Sequence, residues 1–153
     1  MITYEKSAGA VIYREENGEI LYLLLKYRNF HWDFAKGHVE NNDSLKDTAI
    51  RETEEETGIN DLDIKDGFKK NIYYFYRAKG NERRERLKNG RKINICKKVV
   101  FFLAETKTKE VVLSHEQLEF VWMKYEDAVK KVTHENAKNM IVAANKYLKK
   151  NSR

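Results

Sequence analysis

Residues 37–59, GHVENNDSLKDTAIRETEEETGI, hold seven acidic side chains against two basic ones, a formal −5 in a chain whose net charge is +6. Everything outside the segment therefore sums to +11. The spacing reads as a helix from about Ser44 to Thr57, with Gly58 supplying the left-handed residue that ends the last turn. At ~100° per residue, Leu45, Ala49, Ile50 and Thr53 fall on one side and are expected to face a core. Glu52, Glu55 and Glu56, three and four positions apart, converge beside that side, whereas Glu54 points to water. Arg51 precedes Glu55 by four residues and can pair with it. Three like charges this close repel, and more so as water is excluded. A bare RExxEE also describes a solvated acidic face. If a cation resolves the repulsion instead, oxygen-only ligands suit a hard divalent ion, magnesium or manganese rather than zinc.

Around this segment the chain reads as one domain, residues 1–153, with no linker, repeat or low-complexity tract. A hydrophobic fraction of 41% beside 35% charge fits a globular core under an ionised surface rather than disorder. SAGAVIYREENGEILYLLLKY predicts two strands about an Asn17-Gly18 hairpin turn. FHWDFAKGHVENND reads as an irregular loop. LDIKDGFKKNIYYFYRAK and CKKVVFFLAETK are rich in aromatic and β-branched residues and predict strands. Between them the charged stretch near 79–95, GNERRERLKNGRKINI, predicts a long, mobile hairpin loop. EFVWMKY is a further strand and YEDAVKKV starts a helix. In ENAKNMIVAANKYLKK, Ala137, Met140, Ile141, Ala144 and Leu148 recur at helical spacing. The expected class is α/β (α+β), with helices packed on a mixed sheet. Cys96 is the only cysteine, which excludes an intrachain disulfide, fits a reducing compartment and reads as a strand residue. No signal-peptide pattern and no apolar run of ~20 residues is visible, so a cytoplasmic location without membrane partners is expected. The positive balance favours anionic partners.

The wider spacing around the acidic helix is specific. Gly37, five residues, Asp43, seven residues and RETEEETGI fit the pattern G-x5-E-x7-R-E-U-x-E-E-x-G-U, where U is aliphatic. Gly37, Arg51, Glu52, Glu55, Glu56, Gly58 and Ile59 match it. Asp43 stands where the pattern has Glu and is expected to cap or orient through a shorter arm. Thr53 replaces an aliphatic residue and brings a hydroxyl to a core-facing site. This is the signature of the Nudix hydrolases, which the chain resembles. The resemblance implies an α/β/α sandwich around a mixed sheet and hydrolysis of a nucleoside diphosphate linked to another group. It implies Glu52, Glu55 and Glu56 as ligands of Mg2+ or Mn2+, with the Gly37 carbonyl and Glu116 assisting. Glu52 and Glu116 are the candidate general bases.

FHWDFAKGHVE, GFKK, VVFFLAE and LSHEQLEFVWMKYEDA, over most of residues 7–128, together resemble the asymmetrical diadenosine tetraphosphate hydrolases. Asp33-Phe34-Ala35 stands where that group often has prolines. The resemblance implies that His31, Lys36 and Lys97 reach phosphate oxygens, with Lys98 on the opposite face of its strand. It implies that Tyr74 and Phe120, the latter where Tyr is common, stack an adenine. Trp32 and Trp122 read as packing residues. The implied reaction is metal-dependent hydrolysis of diadenosine tetraphosphate to ATP and AMP, with a dinucleoside polyphosphate as partner. Two alternatives are removal of pyrophosphate from RNA 5′ ends, which would make nucleic acid a less favoured partner, and hydrolysis of diphosphoinositol polyphosphates. A non-catalytic Nudix module that binds RNA or protein is disfavoured by the intact Glu52, Glu55 and Glu56.

Overall fold

The alternation in TYEKSAGAVIYREE places a strand, β1 (Thr3–Glu16), at the middle of the sheet, where side chains on both faces are buried. The computed structural model describes residues 1–151. β1 turns at Asn17 and Gly18, both at positive φ (53° and 80°), into the antiparallel β2 (Glu19–Tyr27). Two short strands follow, β3 (Trp32–Asp33) on β2 and β4 (Ala35–His38) on β1. The acidic helix α1 (Leu45–Thr57) comes next, then β5 (Asp63–Arg77) and α2 (Gly80–Lys88). β6 (Asn94–Glu105) runs parallel to β1 and pairs with β5. β7 (Gln117–Met123) pairs with β2, and α3 (Tyr125–Lys131) and α4 (Glu135–Asn151) close the chain. One parallel pairing among antiparallel ones makes the seven-stranded sheet mixed, as expected.

Period-two alternation divides the core into two layers. Ala8, Val100 and Phe102 pack with Ala49 of α1, and Ala10, Ile12, Leu23 and Leu25 with Ile59 beyond its end. Val11, Tyr13, Val99, Phe101 and Leu103 face α3 and α4, meeting Ala128, Met140, Ile141 and Ala144. Helices thus cover both faces, which is the α/β/α sandwich. Trp32 packs in the second layer and Trp122 against the first. Cys96 is buried. Among the described residues no helix is long and apolar enough to cross a membrane.

Four expectations are corrected. Residues 30–43 are not wholly irregular, because β4 lies in register with Ser7 to Ala10 of β1 and β3 with Leu25 and Lys26. Asp33 Oδ1 also accepts from the Phe34 amide at 2.8 Å, which holds a corner that carries no proline. Of the two roles expected for Asp43, the cap falls to Ser44, whose Oγ accepts from the Asp47 amide at 3.0 Å, while Asp43 takes the other and faces Arg51 Nε at 3.5 Å. Ile50 is exposed, because the buried stripe of α1 runs through Ala49, Thr53, Glu56 and Thr57. Thr53 does face the core, where its hydroxyl has no hydrogen-bond partner.

The fourth correction concerns the charged segment near 79–95, which is a helix rather than a hairpin loop over Gly80–Lys88. It has no apolar face, so helical periodicity could not announce it. A buried cation anchors it. Arg86 donates to Glu5 at 2.7 Å, to Glu82 at 3.0 Å and to the Lys92 carbonyl at 3.2 Å. Removing one partner of a buried pair strands the other charge. Arg86→Ala is therefore expected to lower unfolding free energy by about 2–4 kcal/mol in urea titrations. A loss below about 0.5 kcal/mol would show that α2 is not anchored there.

Candidate active site

α1 delivers its carboxylates to the ends of β2, β4 and β7. Glu56 lies on the buried stripe and is 3% exposed. Its Oε1 is 2.9 Å from the Tyr27 hydroxyl and accepts from the Lys36 amide at 3.0 Å. Its Oε2 accepts from Gln117 Nε2 at 2.7 Å, while Ser114 Oγ holds the other end of that amide at 2.5 Å. The Tyr27 hydroxyl also lies 2.9 Å from the Phe34 carbonyl and has one proton for two acceptors. Burial pushes the Glu56 carboxyl from 4.5 up to about 7, against the pull of Tyr27 and Lys36.

Glu52 lies against Gly37, and a Cβ at Gly37 would collide with its carboxylate. Burial, then repulsion from Glu55, holds Glu52 above the usual carboxylate range. Arg51 offsets part of that. Its Nη1 contacts Glu52 at 2.9 Å, Glu55 at 3.6 Å and Glu40 at 3.7 Å, and its Nη2 donates to the His38 carbonyl at 3.0 Å. The expected Arg51–Glu55 pair thus forms, but Glu52 is the nearer partner. Glu54 is exposed as expected. Glu52, Glu55, Glu56 and Gly37 line a cavity of about 600 Å³ with Glu116 and Lys97. In this arrangement Arg51 and the donors around Glu56 hold the acids, and no metal-ligating cluster forms among the described residues. The donor set is nonetheless all oxygen, and the missing Cβ of Gly37 makes room for one of its carboxylates. That chemistry fits a hard divalent cation.

A second cavity, about 750 Å³, holds His31, Asp33, Tyr74 and His134 and shares Tyr27, Lys36 and Lys97 with the first. Lys36 Nζ pairs with Asp33 Oδ2 at 2.9 Å and lies 4.9 Å from the Tyr27 ring centre. Burial, then Lys36, pushes the Lys97 ammonium below its ordinary pKa. Lys98 lines neither cavity. His31 Nδ1 lies 3.0 Å from His134 Nε2. Tyr74 stands opposite Lys97 and packs against the α3–α4 layer. Phe120 does not join it. It lies opposite Leu25 of the α1 layer and lines neither cavity. The two rings stand on opposite faces of the sheet, so they do not sandwich one base.

Sequence reasoning missed Tyr27, Gln117, Asp33 and His134. Gln117 follows His115-Glu116 directly, yet a lone amide carries no signal, and a tyrosine closing an apolar strand looks like core.

Two outcomes follow. The folded state binds the Glu56 proton more tightly than the unfolded chain does. That contribution is complete below the ordinary pKa and is lost as pH rises toward 7. In EDTA, unfolding free energy is expected to fall by about 1–3 kcal/mol between pH ~5 and ~7.5, and Glu56→Gln to flatten the slope. A parent profile that is flat or rises over that window would contradict the assignment. Gly37→Ala is expected to displace Glu52 and cost at least about hundredfold in turnover, with a stability change under about 1 kcal/mol because a flexible side-chain end gives way.

The sequence matches the NUDIX domain family over residues 3–143. It is 37% identical over 130 residues to a Caenorhabditis elegans protein named bis(5′-nucleosyl)-tetraphosphatase [asymmetrical], covering 82% of this chain and 83% of that protein. A Mus musculus protein of the same name is 33% identical over 135 residues, covering 80% and 81%. The crystal structure of a C. elegans Ap4A hydrolase binary complex superposes with a TM-score of 0.77 at 32% identity, covering 95% of this chain and 98% of that one. The Gly37 niche, the carboxylates of α1 and a match across nearly the whole chain agree, and this protein belongs to the Nudix family.

Proposed function

We propose that the chain hydrolyses diadenosine tetraphosphate asymmetrically to ATP and AMP. One observation carries the reading: the carboxylate cavity and the aromatic cavity share Lys36 and Lys97. Two cations thus stand between a set of acids and a tyrosine-lined space, where a polyphosphate joined to a purine has both ends served. The names of the C. elegans and mouse relatives support the same substrate.

Glu52, Glu55, Glu56, the Gly37 carbonyl and Glu116 would hold the divalent cation, magnesium or manganese, which when bound neutralises charge on phosphate oxygens. The chain's own groups do the rest. Lys36 and Lys97, with His31 at the rim, bind and orient the polyphosphate. Tyr74 offers a π-face to one adenine. Tyr27, Gln117 and the Lys36 amide fix the Glu56 carboxylate in one orientation. Water adds to the phosphorus beside one adenosine, the P–O–P bridge opens, and ATP leaves while AMP keeps the new oxygen. The water proton goes to Glu52 or Glu116, and Glu52 is favoured because burial and then Glu55 raise its proton affinity above the usual carboxylate range.

With magnesium and diadenosine tetraphosphate, chromatography should show equal ATP and AMP; ADP alone, or no release, would sink the reading. Glu52→Gln is expected to lower kcat at least about hundredfold and Glu116→Gln less than about tenfold. The reverse order would move the base to Glu116.

A further inference from the structure

Diadenosine tetraphosphate carries two adenosines, and the reading above seats one of them, at Tyr74 in the aromatic cavity. Phe120, the other ring expected to stack, lines neither cavity. A third cavity, about 550 Å³, lies beneath α2, against the starts of β1 and β6. It shares His38 and Lys97 with the carboxylate cavity, and Tyr76 and Lys97 with the aromatic one. Lys97 therefore touches all three spaces, and a polyphosphate held at the carboxylates has two further cavities within reach.

Alternation along β5 sets Tyr76 on the face that carries Tyr74 and Lys97. Its hydroxyl donates to Glu82 of α2 at 3.2 Å, while the residue stays 41% exposed. Arg86 pins α2 to Glu5 of β1, so the cavity has fixed walls. That pairing, with Arg91 on Glu5 and Arg86 on Glu82, also engages two of the cavity's acids. Glu85 and Asn89, at the C-terminal end of α2, line this cavity alone, and among the described residues their side chains have no hydrogen-bond or ion-pair partner. The space thus grades from Lys97 and His38, beside the carboxylate cavity, to a free carboxylate and a free amide. A phosphate would be repelled at that second end. Ribose hydroxyls and a purine edge instead match an accepting carboxylate and an amide that both donates and accepts. An open tyrosine ring beside them suits a purine face.

We propose that the cavity beneath α2 holds the second adenosine of the substrate, with Tyr76 stacking its adenine and Glu85 and Asn89 hydrogen-bonding its ribose and base edge. The inference rests on the reading above, because it takes the carboxylate cavity as the phosphate site. It makes α2 the element by which the protein prefers a dinucleotide to a mononucleotide with the same number of phosphates.

The test compares diadenosine tetraphosphate with adenosine 5′-tetraphosphate, which lacks only the second adenosine, in steady-state assays with magnesium. The parent should show a KM at least about tenfold lower for the dinucleotide. The double variant Tyr76→Ala, Asn89→Ala should raise the dinucleotide KM at least about tenfold and shift the mononucleotide KM less than about twofold. Asn89→Ala alone removes an exposed side chain without disturbing the sheet, and should raise the dinucleotide KM about threefold. Equal KM values for the two substrates in the parent would overturn the proposal. So would a preference that survives the double variant, or a double variant that raises both KM values alike, since a structural defect does not distinguish the substrates. Should the parent split neither compound, the proposed reaction falls, and titration calorimetry in magnesium decides this site separately. Tighter binding of the dinucleotide that the double variant abolishes would uphold the subsite, and equal binding of the two compounds would sink it.

Discussion

The Glu56 carboxylate joins four parts of the molecule. It stands on the buried stripe of α1 and takes hydrogen bonds from the end of β2, from β4 and from β7, through Tyr27, the Lys36 amide and Gln117. A nearly inaccessible acid must be neutral, paired or fully hydrogen-bonded. Its partners are two side chains and one backbone amide that hold still because the strands beneath them do. Burial raises its proton affinity while the donors lower it, so the group is poised near neutrality. The same bonds fix the angle at which α1 meets the sheet, and hence where Glu52 and Glu55 arrive.

Charge is organised by opposition. Arg51 gathers Glu40, Asp43, Glu52 and Glu55, so the acids do not force the helix apart. Lys36 and Lys97 line the same cavity, and Lys97 is held below its ordinary pKa by burial and by Lys36. Far from the helix, Arg86 does for α2 what Glu56 does for α1: one buried ion with several partners ties a charged helix to β1. Each helix that lacks a broad apolar face is thus secured by a buried polar anchor.

Much of this was legible in the chain. The Asn17-Gly18 hairpin, the stop at Gly58 and the buried stripe of α4 follow from local φ preferences and periodicity, and all appear where expected. The convergence of Glu52, Glu55 and Glu56 on one side of α1 follows from helix geometry alone. Failures came where local and global signals separated. Ile50 looked like core because it is apolar, yet one residue of helical rotation turns it from Ala49 to water. The stretch beyond Lys79 looked like loop because no apolar stripe runs through it. Phe120 and Tyr74 looked like one stacking pair until the strand pairings set them on opposite faces.

The sequence by itself determined the chemistry available: a cluster of carboxylates on one helix, a glycine facing it, and a surplus of basic side chains elsewhere. Those features are encoded over a few turns, where spacing fixes direction. Tertiary structure alone decided which acid is buried, what holds it and which aromatics line the cavity beside Lys36 and Lys97. Gln117 lies 61 residues from Glu56, and the parallel pairing of β1 with β6 brings Glu5 beside Lys97. Contacts at such separations depend on sheet order and register, and no local periodicity specifies either.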